Sequence, residues 1–76
     1  KFIEREFRLI SQAIACCKLG MMYKNQSLYE KALGYFEMFF KLSCTLGNQS
    51  LIDAARLNLA YVKRLHMNEP QISNDV

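Results

Sequence analysis

Cys16, Cys17, Cys44 and His66 are the side chains of this sequence best suited to chemistry. A cysteine nucleophile needs a histidine oriented beside it. His66 is the single histidine and falls at the end of a helical pattern, where a solvated or capping role is expected. The same four residues match a zinc site in number only. Neighbours on a helix point about 100° apart, so Cys16 and Cys17 do not converge on one ion, and no C-x-x-C is present. An odd cysteine count with one adjacent pair is not a disulfide framework. The expectation is three reduced thiols in or near a helical core, which implies a reducing, intracellular compartment. Glu30 and Glu37 stand seven apart on one helix face, a solvated stripe rather than a paired acid and base. The glycines are isolated, so no loop cradles a phosphate. The chain reads as non-enzymatic, with no metal and no cofactor.

The elements that carry these residues are helical. Gly is 3 and Pro is 1, too few breakers for a sheet of this size. A first helix is expected over 2–24. Its Ile3, Phe7, Ile10, Ile14, Cys17 and Met21 recur at spacings of 4, 3, 4, 3 and 4, one face of a helix. Asn25-Gln26-Ser27 breaks it. A second helix is expected over 28–46, opened by the capping box Ser27-x-x-Glu30. Its polar residues Glu30, Gly34, Glu37, Lys41 and Thr45 form one narrow stripe, and nearly all the rest is apolar. Such a helix must be packed on more than one side. Gly47 suits the left-handed position that ends it. A third helix is expected over 51–66, opened by Ser50-x-x-Asp53. One of its stripes is Ile52, Ala55, Leu59, Val62 and His66, and a second is Leu51, Ala54, Asn58, Tyr61 and Leu65. Residues 68–76 are polar and read as a disordered tail.

A chain of 76 residues buries only roughly 60–65% of its unfolded surface, which permits one modest core and rules out a second domain. At 51% hydrophobic it is too apolar to be disordered. The net charge is +3; the tail holds Glu69 and Asp75 and no base, so residues 1–67 carry +5. The basic residues are dispersed, with no run that marks a nucleic-acid or membrane patch. There is no apolar run of about 18 residues. The first residue is Lys1, which fits a processed product or a piece of something longer.

The chain also repeats. Shifted by 40 residues, Ala15, Leu19 and Gly20 fall on Ala55, Leu59 and Ala60. The first copy reads Cys16-x-x-Leu19-Gly20-x-x-Tyr23, then Ala32-x-x-x-Phe36. This resembles the tetratricopeptide repeat, W-x-x-L-G-x-x-Y followed by A-x-x-x-F on two antiparallel helices. The period, together with Leu46-Gly47-Asn48 and the string 54–60, is similar to the subgroup of about 40 residues per repeat found in cell-polarity G-protein regulators. The resemblance covers about residues 11–66. It departs at Cys16, where Trp is usual, and at Phe39 and Phe40, where a small residue is common; residues 1–10 have no counterpart.

The resemblance implies an all-α fold: a tetratricopeptide-like hairpin plus a third, capping helix, over residues 1–67. Solenoid repeats bury their faces against neighbours, so the expectation is a segment of a longer array or of a multi-subunit assembly. Its partners would be other protein chains or further repeats. No nucleic acid and no membrane are expected. In the family the first helix of each repeat lines a concave groove for an extended or helical peptide. Carried onto this chain, the candidates are Cys17, Met21, Lys24 and Asn25 from the first copy, and Leu57, Asn58, Tyr61 and Arg64 from the second. Asn58 matches the subgroup's asparagine that holds peptide backbone; Lys18 stands there in the first copy. The groove should be apolar rather than ionic. For each residue the alternative is ordinary packing, and Met21 and Tyr61 fit either. The family's use in microtubule- and cilium-associated assemblies implies a cytoplasmic setting of that kind, although no residue here points to it. The competing function is a small basic helical nucleic-acid binder, which the dispersal of the charges disfavours.

Overall fold

The computed structural model describes residues 2–68. They form three helices, α1 (Phe2–Asn25), α2 (Tyr29–Leu46) and α3 (Gln49–Met67), with no strand among them. Of the polar tail expected over 68–76, Asn68 caps α3, and the rest, from residue 69 on, lies outside the described residues.

α2 is the middle element, packed against α1 on one side and α3 on the other. This is what its composition requires. Ala32, Phe36, Phe39 and Ser43, spaced 4, 3 and 4, are buried. Glu30, Gly34, Glu37, Lys41 and Thr45 form the solvated stripe. Ser43 is a core residue that hydrophobic periodicity does not reveal. Its hydroxyl donates to the Phe39 carbonyl at 2.7 Å, so the buried oxygen is satisfied within its own helix turn. From α3 the core takes Ala55 and Val62, with Leu51, Ala54 and Leu59 half-buried around them.

The packed face of α1 is not the expected one. Ala13, Cys16 and Gly20 are buried against α2, whereas Ile3 is 80% and Phe7 70% exposed, and Ile10, Ile14 and Met21 are exposed too. Of that stripe only Cys17 packs on the core. The physical reason lies at the helix crossing. Small residues on α1 let the axes close, and α2 supplies the bulk through Phe36 and Phe39.

Both breaks also differ from the capping boxes expected. Ser27 does not cap α2; it ends α1. Its φ is +63°, the left-handed region. The Ser27 N–H donates to the Lys24 carbonyl and the Leu28 N–H to the Tyr23 carbonyl, each at 2.9 Å. That pair of bonds is a Schellman closure. A residue held left-handed cannot also take the extended backbone of an N-cap. Leu28 therefore precedes α2 without a side-chain cap bond.

At the second break Gly47, with φ +69°, closes α2 as its residue type suggests. The cap of α3 then falls on Asn48 rather than Ser50. Asn48 is extended, and its Oδ1 accepts from the Leu51 N–H at 3.1 Å. Ser50 lies inside the first turn. Asp53 instead accepts from Gln49 Nε2 at 2.9 Å.

Candidate functional site

α1 and α3 rest on the same helix and meet each other at one end. There the Lys24 ammonium sits 5.2 Å from the centroid of the Tyr61 ring, a cation–π contact. Lys24 and Tyr61 come from the two helices that the 40-residue shift superposes.

The remaining candidates divide by what else holds them. Met21, Asn25, Leu57, Tyr61 and Arg64 are exposed, Leu57 at 72%. Leu57, Tyr61 and Arg64 follow at spacings of 4 and 3, so they share one side of α3. Cys17 is half-buried and belongs to the core packing. Asn58 is half-buried, and its Nδ2 donates to the Ala54 carbonyl at 2.9 Å. A peptide backbone would have to compete with α3 itself for that donor. The candidates thus comprise the exposed apolar or aromatic side chains of Met21, Leu57 and Tyr61 and the bases Lys24 and Arg64.

Of the repeat-signature residues, Gly20, Ala32 and Phe36 meet in the α1–α2 crossing, and Tyr23 stacks on Tyr35 with ring centroids 5.5 Å apart. Lys31 lies over the same Tyr23 ring at 5.5 Å. Leu19 and Leu59 are half-buried. Ala60, which the shift places on Gly20, is exposed, for no helix crosses there.

A second groove, of about 520 Å3, runs between α1 and α2, and no residue of α3 lines it. Its walls are mainly Ala15, Leu19, Tyr35, Met38 and Leu42, with Gln12 at the edge. Only the apolar surplus of α2 hinted at it, through Met38 lying off the polar stripe yet half exposed.

Burial acts on two of the three thiols. Burial pushes the Cys16 thiol up. Burial pushes Cys17 up as well, and the neighbouring Cys16 adds to the shift. Cys44 is exposed on α2. Among the described residues no three of the His, Cys, Asp and Glu side chains are placed to hold one metal ion. No described helix is long and apolar enough to cross a membrane.

No family model, no curated protein and no solved structure matches this chain.

Proposed function

We propose that the chain is a non-enzymatic protein-interaction segment of tetratricopeptide type, which binds a partner peptide or helix on the open face between α1 and α3. One observation carries the reading. Positions 40 residues apart in sequence, Met21 and Tyr61, stand exposed on two helices that meet through Lys24. An ordinary three-helix bundle gives no reason for large apolar side chains to recur there in solvent. The close contact of Gly20 with Phe36 supports the same reading, since it joins two residues of the repeat signature. On this reading the outer surfaces of α1 and α3 are where further repeats or assembly subunits pack.

The partner's chemistry follows from the face. Leu57, Met21 and Tyr61 offer apolar contact, and Lys24 and Arg64 favour acidic residues at the adjoining end of the ligand. The test is capture of partners by the parent chain with Met21, Leu57 and Tyr61 each changed to Ser. All three side chains are exposed, so helicity should be kept while capture is lost. Retained capture by all three variants would refute the face. Capture lost equally on changing Glu37, which lies on the solvated stripe of α2, would show a general effect.

A further inference from the structure

Ile3, Phe7, Ile10, Ile14, Cys17 and Met21 recur at spacings of 4, 3, 4, 3 and 4, so Ile3, Ile10 and Cys17 stand seven apart, as do Phe7, Ile14 and Met21. That seven-residue recurrence is the spacing of a seam between two paired helices. α2 does not take this seam, because it rests on Ala13, Cys16 and Gly20. α3 reaches α1 at Lys24. Five of the six seam residues are exposed, most of all Ile3 and Phe7. A stripe of that length on one helix is a contiguous apolar surface, of the kind that marks an interaction site.

We propose that this seam pairs with a second copy of the chain, the two α1 helices running antiparallel. The seam is complementary to itself in that direction. With a twofold axis near Gln12, Ile10 meets the second copy's Ile14, Phe7 its Cys17, and Ile3 its Met21. Large thus faces smaller at one layer, and like sizes meet at the others.

The charges choose the direction. Glu4, Ser11 and Lys18 lie seven residues apart along one edge of the seam, and all three are exposed. Antiparallel pairing brings this edge against its own copy, so that Glu4 meets Lys18 twice and Ser11 meets Ser11. A parallel pair would instead set this edge against the opposite one, where the buried Ala13 and Gly20 offer Lys18 no charge partner. On the opposite edge, Glu6 is exposed, while Ala13 and Gly20 are buried and carry no charge. The edge open along its whole length is therefore the one with self-complementary charge. Met21 belongs to this seam and also to the proposed face between α1 and α3. A second copy and a partner peptide then exclude each other at that end.

The test is sedimentation equilibrium of the whole chain in reducing buffer over a wide range of concentration. A reversible dimer is expected. Ile10→Glu with Ile14→Glu should give a monomer of unchanged helicity, with Ile10→Ser and Ile14→Ser as the milder pair if the first misfolds. Glu4→Lys alone and Lys18→Glu alone should each weaken the dimer, on the order of fivefold, and the two together should restore it. A chain monomeric throughout would overturn the proposal. So would a dimer that persists in the Ile10 and Ile14 variants, or a charge-reversed pair that fails to recover. Loss of partner capture in the Leu57 variant with the dimer intact would separate this surface from the proposed function.

Discussion

Gly20 lies so close beneath Phe36 that the contact leaves no room for a side chain. A Cβ on Gly20 would stand 2.7 Å from Cε1 of the ring and 2.9 Å from Cδ1 and Cζ. Phe36 is fully buried, so the ring cannot swing into solvent. Two effects oppose one another in Gly20→Ala. Helix propensity favours Ala by about 1 kcal/mol, and overpacking costs about 1–3 kcal/mol. The expected outcome is a net loss of up to about 2 kcal/mol in denaturant unfolding, against the gain that an exposed helix position would show. Gly20→Leu should lose more and separate α1 from α2. Phe36→Leu in the Gly20→Ala background should recover part of the loss, because it removes the atoms that clash. Additive effects of the two changes would show that they do not touch.

Ser27 offers a test of opposite sign to the capping-box reading. Held at φ +63°, it carries the penalty of a side chain in the left-handed region. Ser27→Gly should therefore stabilise the chain by about 0.5–1 kcal/mol, read from the shift in thermal midpoint. Were Ser27 the cap of α2, the same change would stabilise nothing.

At the next break the cap belongs to Asn48, whose side chain accepts from the Leu51 N–H. Asn48→Ala should cost about 1 kcal/mol, and Asn48→Asp should keep the cap. Ser50→Ala should change stability by less than about 0.5 kcal/mol, since Ser50 is exposed inside the helix. Equal losses at both positions would mean that the helix starts two residues later.

The three thiols should react in order of burial. A neutral thiol reagent at pH 7 is expected to modify Cys44 first, Cys17 next and Cys16 last, as mass spectrometry of the labelled chain would show. Because burial raises the Cys16 and Cys17 values, the fold favours their neutral forms. The stability they contribute is complete below the ordinary thiol pKa, about 8.5. It is lost as pH rises through the raised folded values. The denaturant midpoint should fall above that pH in the wild type, and fall less in Cys16→Ala with Cys17→Ala.

Much of the fold is legible in the order of residues. Three helices, two short breaks and the narrow solvated stripe of α2 all follow from periodicity and from the scarcity of Gly and Pro. Gly47 is legible because the left-handed position it fills has one preferred residue type. The cap positions were less so. Ser27 and Ser50 both satisfy a capping pattern, but a three-residue break has to end one helix before it starts the next. The bonds that close α1 claim Ser27 first. The candidate positions on α1 and α3 were legible as a list. The contact that joins its two halves, Lys24 on Tyr61, was not.

By itself the sequence determined that α2 is central, because no helix so apolar can be left with one neighbour. It also determined that α1 has an apolar stripe. Only the tertiary structure decided that the stripe stays outside. Periodicity states the angle between residues on one helix and is silent on where the neighbour lies. The neighbour is chosen by how closely two axes can approach. Phe36 and Phe39 bring their bulk from α2, so α1 turns its small residues, Ala13, Cys16 and Gly20, toward them. Its large residues, Ile3, Phe7 and Ile14 among them, are left to face solvent.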